Sequence, residues 1–375
     1  MKVKKCLALI LSTVIISNSV MPAFATESSS EIHVEEQECI VGVEFPESDI
    51  LFAGYAGQVF YNTEDRTTFS VGNHSAGAKL SDDEKLAYDA LIPIIKDIAS
   101  GDRASAVISV GESFSYAGVD YNVDSKVSFK EATSEFDVDA VIEALLLDYP
   151  YEMYWYDKTI ESQIQIWSSG ERVLQIILNL YVSENYQNGN STTVDANAAV
   201  KTKNAAEHAR TIMEENQDKS DYEKLLAYKE AICNFVTYDK NAADVGNFTI
   251  DNDPWQLIHV FDQDDSTNVV CEGYAKAFQY LCDMTTFEKN VSCYSVTGVM
   301  SSSTGDGDHM WNIVTLDGQN YLIDVTNCDS GTIGYPDELF LCGTKEGSVT
   351  NGYTFLLEKD NFQLRLILDN QSQKL

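Results

Sequence analysis

A cysteine, a histidine and an aspartate can together break an amide bond, provided each sits in a suitable local setting. The sequence supplies such settings near its end. Cys271 opens the run Cys271-Glu272-Gly273-Tyr274-Ala275-Lys276-Ala277-Phe278-Gln279-Tyr280-Leu281, where apolar residues fall at 274, 277, 278 and 281. That is the spacing of an amphipathic helix. Val269 and Val270 read as the end of a buried extended segment leading into it. Cys271 is therefore expected at a helix start, where unpaired N–H groups and the helix dipole favour a thiolate, the form that attacks carbonyls. Cysteine is equally a common small buried hydrophobe, so its position alone does not assign it a role.

The next segment supplies a base. Residues 291–297 read as a strand and 301–308 as a polar loop. His309-Met310-Trp311-Asn312-Ile313-Val314-Thr315-Leu316 and Tyr321-Leu322-Ile323-Asp324-Val325 flank Asp317-Gly318, a strong two-residue hairpin signal. In that register Leu316 faces Gln319 and Trp311 faces Asp324. His309 lies on the same face as Trp311 and diagonal to Asp324, with Cα atoms about 7–8 Å apart, a gap the two side chains can close. A carboxylate holding one ring nitrogen leaves the other to take the thiol proton.

Cys271, His309 and Asp324 in that order, with the cysteine on a helix start and the other two on neighbouring strands, resemble the transglutaminase-like superfamily. The matching stretches are Val270-Cys271-Glu272-Gly273-Tyr274-Ala275, His309-Met310-Trp311-Asn312-Ile313-Val314, and Gly318 with Tyr321-Leu322-Ile323-Asp324-Val325-Thr326. The likeness covers roughly residues 200–345 and includes Tyr238-Asp239. It implies an α+β fold with a papain-like core, a nucleophile helix packed on an antiparallel sheet. It also implies Cys271 as nucleophile, His309 as general base and acid, and Asp324 as the group that orients the histidine. A second oxyanion donor beside the Cys271 N–H is expected, and Trp255 and Gln263 are both available. Trp311 and Trp255 are the candidate substrate-binding aromatics. Trp311 would also serve to shield the His309–Asp324 hydrogen bond or to fill core, and Trp255, after Pro254, reads equally as a core anchor.

The elements around this set are legible in outline. Ser81 and Glu84 form a capping box that opens a helix toward Gly101, with Pro93 as an expected kink. Residues 136–147 carry an apolar stripe at 138, 141, 142, 145 and 146, and read as a second helix. Residues 160–167 and 172–181 read as strands around Ser168-Ser169-Gly170. Residues 185–193 form a polar break and a candidate domain boundary, followed by helices over 196–216 and 222–236. Helices and hairpins come in separate runs, which is an α+β pattern. The expected division is a signal peptide over 1–25, a flexible acidic leader over 26–40, a smaller α+β region over 41–190 and the catalytic region over 195–375.

Charge and cysteines narrow the functions. The 375 residues hold 25 basic against 59 acidic side chains, a net charge of −34. Such a chain repels phosphates, which argues against nucleic acid as a partner. Lys2, Lys4 and Lys5 precede an apolar run and then Pro22-Ala23-Phe24-Ala25, the layout of a secretory signal peptide cleaved after Ala25. The run falls short of the roughly 20 apolar residues a span needs, so a secreted protein without membrane insertion is expected, with association to the cell surface as the alternative. Cys39, Cys233, Cys271, Cys282, Cys293, Cys328 and Cys342 leave an odd number beyond the signal, which suggests one free reactive thiol. The other six fit disulfides and reduced core cysteines equally well. No C-x-x-C pair points to zinc, and Asp262-x-Asp264-x-Ser266 has calcium-loop spacing but Thr267 where glycine is required. No metal and no cofactor are expected. Residues 149–156, rich in tyrosine, read as core first and as a substrate groove second.

These readings add up to a secreted thiol acyl-transfer enzyme acting on a peptide or protein, with a cell-surface or cell-wall peptide among the candidate substrates. Hydrolysis is the first expectation, as a cysteine peptidase or amidase. Transglutaminase cross-linking is the alternative within the class, and a catalytically silent binding module is the alternative outside it.

Overall fold

The computed structural model describes residues 32–39, 76–130, 136–158, 160, 162–245, 256–289, 291–302, 305–316, 318–329, 339–342, 349–350 and 353–357. The expected signal peptide and its cleavage point lie outside the described residues, as does Trp255. Among the described residues no helix is long and apolar enough to cross a membrane.

In chain order the first half runs β1 (Ile32–Cys39), α1 (Asp82–Ser100), β2 (Val107–Gly111), β3 (Phe114–Tyr116), β4 (Val119–Tyr121), β5 (Ser125–Lys126), α2 (Val138–Asp148), β6 (Ser162–Ser169) and β7 (Arg172–Asn179). Strands β1, β6, β7, β2 and β5 line up in that order as one sheet. Part of the acidic leader is thus not a free leader. Its residues 32–39 pair antiparallel with β6, from Ile32 opposite Ser169 to Cys39 opposite Ser162. Both bonds of the Ser81–Glu84 capping box form, and α1 continues through Pro93 as one helix until Gly101 closes it at φ 82°.

The second half runs α3 (Ala196–Glu215), α4 (Asp221–Phe235), α5 (Lys240–Val245), α6 (Ile258–Phe261), α7 (Cys271–Met284), β8 (Val291–Ser302), β9 (Gly305–Leu316), β10 (Gln319–Ile323), α8 (Val325–Cys328), β11 (Val349–Thr350) and β12 (Tyr353–Leu357). Its sheet has the order β10-β9-β8-β12-β11, antiparallel throughout. The expected register of the β9–β10 hairpin holds, with Gln319 opposite Leu316 and Ile323 opposite Asn312. Two details differ from the sequence reading. Of the polar stretch expected as a loop over 301–308, residues 301–302 and 305–308 belong to β8 and β9, which pair as far as Ser302 opposite Gly305. The returning strand stops at Ile323, because Asp324 caps α8 by accepting the Asn327 N–H.

One apolar core runs from α1, α2 and the first sheet through α3, α4 and α7 to Cys293, Val314, Leu316, Tyr321 and Ile323 of the second sheet. Alternate residues of that second sheet, Tyr294, Val296, Trp311, Ile313 and Leu322, fill a separate cluster on its other face. This two-residue period buries the sheet on both sides. The polar break expected as a boundary is knitted into the fold. Val182 and Asn188 N–H donate to Ser191 and Thr193, and the Val194 N–H donates to Ala104. The architecture is a mixed α+β fold.

Candidate active site

The segment before α7 is held straight by its neighbours. Val269 bridges Tyr238 in parallel register, and the Asp239 N–H donates to the Val269 carbonyl. Val270 is extended at φ −91°, ψ 179°, and the helix begins at the next residue. Gly273 is what allows so abrupt a start. A Cβ there would lie 2.5 Å from the Cβ of Val269, far inside contact distance. The first helical bonds to Val270 come from the N–H groups of Gly273 and Tyr274, so those of Cys271 and Glu272 lie ahead of the helical ladder. The Cys271 side chain packs with Ala275, Met310 and Tyr238 and is 0% exposed.

His309 reaches this point from β9 and Asp324 from the end of β10. His309 Nε2 and Asp324 Oδ2 are 2.9 Å apart, with both side chains fully buried. Asn327 fixes the carboxylate, its Nδ2 donating to Oδ2 at 2.6 Å and its backbone N–H to Oδ1 at 3.2 Å. The imidazole stacks on Trp311, with ring centres 6.1 Å apart and planes 20° from parallel. Nε2 is the nitrogen that faces the carboxylate, and the Cys271 thiol is near enough to the ring to favour its charged form. Burial opposes a charged imidazole. The Asp324 carboxylate and then Cys271 outweigh it, and His309 is pushed up to about 10. The ring therefore holds its proton at neutral pH, the state that complements a thiolate.

The structure thus brings Cys271, His309 and Asp324 together. Other expectations fare differently. Trp311 is 1% exposed and covers His309 from the side, so it lines no open substrate surface. Gln263 stands exposed in a turn at φ 61°. Most of the aromatic run at 149–156 is core, and Tyr151 stacks on Tyr280 of α7 at 5.4 Å. The oxygens of Asp262 accept from the Thr267 hydroxyl, and Oδ2 also meets His259, which closes the loop read for calcium spacing. Cys271, Cys282 and Cys293 are free thiols.

Sequence reasoning missed several supporting groups. Asn327 is three residues after Asp324, the spacing of a helix cap, and that signal was readable. Asn312 Nδ2 ties β9 to α7 by donating to the Ala275 carbonyl at 3.0 Å and to Ser295 Oγ at 3.2 Å. Glu272, beside the cysteine, is buried between Lys158 and Lys276, and no local pattern announces Lys158.

No protein-family model matches the sequence, and no curated protein does. One solved structure, described as a crystal structure of a TGase, aligns with 18% identity and a TM-score of 0.29. The alignment covers 44% of this chain and 44% of that one, so the chain spans under half the length of the structure it matches. A likeness of that size does not establish the fold.

Proposed function

We propose that this protein is a thiol-dependent acyl-transfer enzyme of the transglutaminase-like kind, built on a papain-like core and acting outside the cell. One observation carries the reading: a buried imidazole held by a carboxylate at 2.9 Å on one nitrogen, with a thiol at a helix start near enough to favour the charged ring. In this mechanism the Cys271 sulfur attacks an amide carbonyl, and the backbone N–H groups at the start of α7 receive the developing oxyanion. His309 gives its proton to the departing amine and the thioester remains on Cys271. Water then attacks the thioester and returns the thiol, with His309 accepting the proton from the water. Asp324 keeps the ring oriented throughout and favours its charged form in the resting site.

Hydrolysis is favoured over cross-linking because water is abundant outside the cell. A peptide or side-chain amide is the substrate class. Complete burial of Cys271 favours one other reading, a silent binding module, since a carbonyl has to reach the sulfur. The test is to incubate the protein with glutamine-bearing and cell-wall peptides and a labelled primary amine. Hydrolysis predicts a new peptide terminus or ammonia with little amine incorporated, and neither product with Cys271→Ala. Amine incorporation would establish cross-linking instead. Activity that survives Cys271→Ala would refute the thiol mechanism, and inactivity on every peptide would favour the module.

A further inference from the structure

Resting on the reading of Cys271 as nucleophile, we propose that Lys158 is a positioning residue for it, acting from the other half of the chain through Glu272. Lys158 lies between α2 and β6, 114 residues before Glu272, and its Nζ meets Glu272 Oε2 at 2.5 Å. Lys276, one turn along α7, meets Oε1 at 2.6 Å. The Lys158, Glu272 and Lys276 side chains are 5%, 1% and 7% exposed. Each oxygen of the carboxylate is thus taken by a different ammonium. Burial alone would raise Glu272, but the two lysines outweigh it and hold the carboxyl below its ordinary range.

A buried charge cluster is a poor way to gain stability, since an apolar set of the same volume holds a helix as well or better. What the cluster does do depends on its place. Glu272 is the neighbour of Cys271, so clamping its carboxylate on two sides fixes the rotation of the first turn of α7. Lys276 belongs to the same helix and cannot fix that helix against the rest of the protein. Lys158 can. Lys158 also brings a cation to the residue next to the sulfur, and a nearby cation stabilises a thiolate.

The experiment is the pH profile of Cys271 alkylation by iodoacetamide in the full chain, read by peptide mass. It compares wild type, Lys158→Met and Lys158→Arg, with thermal unfolding of each. Lys158→Met leaves Glu272 still paired with Lys276. It should displace the profile upward by about one unit and slow labelling at pH 6 roughly tenfold. Lys158→Arg, which keeps the charge and reach, should restore the rate to within about threefold. A superimposable Lys158→Met profile, or no rescue by arginine, would overturn the proposal. If Lys158→Met does not melt cooperatively, the variant carrying methionine at 158, 272 and 276 replaces it. That variant keeps the volume without charge, and wild-type labelling in it would also overturn the proposal. A wild-type Cys271 no more reactive than Cys282 or Cys293 would instead defeat the nucleophile reading on which this one rests.

Discussion

Asp324→Asn isolates the charge that sets the state of His309. The asparagine oxygen can still accept from Nε2 and Asn327 can still brace it, so the geometry is largely kept while the charge is lost. In the native protein His309 stands at about 10, against an ordinary value of 6.5, with Asp324 the largest favourable influence and burial the opposing one. That difference corresponds to something on the order of 5 kcal/mol in favour of the charged ring, shared between Asp324 and Cys271. Without the carboxylate the ring loses its largest favourable influence and should titrate well below its native value. A group whose folded value exceeds its unfolded one adds stability that is complete below pH 6.5 and is lost as pH rises through about 10. Wild type should therefore lose stability across that window, and its margin over Asp324→Asn should shrink in step. The assay is NMR titration of the His309 ring, alongside denaturant unfolding at pH 6, 8 and 10. Wild-type His309 titrating near 6.5, or a margin over Asp324→Asn that stays constant with pH, would refute the argument.

Three further outcomes follow from the same geometry. Iodoacetamide at pH 6 should label Cys271 ahead of Cys293, whose thiol is pushed well up by burial, and His309→Ala should slow that labelling; peptide mass mapping decides both. Gly273→Ala should cut Cys271 alkylation more than it lowers the melting temperature, because a Cβ 2.5 Å from Val269 forces the helix start to shift. Trp311→Ala should cost about 3–5 kcal/mol in denaturant unfolding, since it empties a large buried site in the outer cluster and uncovers one side of His309.

The residues that meet at the site were legible because short-range rules place two of them. Asp-Gly fixed the hairpin register, and the register put His309 diagonal to Asp324. The 3.6-residue period put Cys271 at a helix start. The end of the second strand was misread for a local reason: Asp324 has the extended pattern before it and a helix-capping side chain of its own, and the cap won. The loop at 301–308 was misread because glycine, serine and aspartate signal turns, yet twelve-residue strands can carry polar residues once pairing is established on both sides of the hairpin. Trp311 was placed on the right face, but nothing in an alternating strand says whether that face opens to substrate or is covered. Lys158 was out of reach for a different reason. Its partner is 114 residues away, and no sequence period spans such a distance.

Helix α7 takes partners from the first half along much of its length. Glu272 receives Lys158, Gln279 donates to the Leu147 carbonyl at 3.0 Å, and Tyr280 stacks on Tyr151. Positions 272, 279 and 280 recur on one side of a helix, so α7 is a party wall between the two regions. A single cut in the loop at 187–194 would produce two fragments that each lack half of that wall, one with a glutamate missing a counter-ion and the other with a lysine missing its acid. Neither would hold a competent thiol alone, and mixing them should restore it. The chain could be run as a split reporter, in which alkylation of Cys271 counts how many halves have found each other.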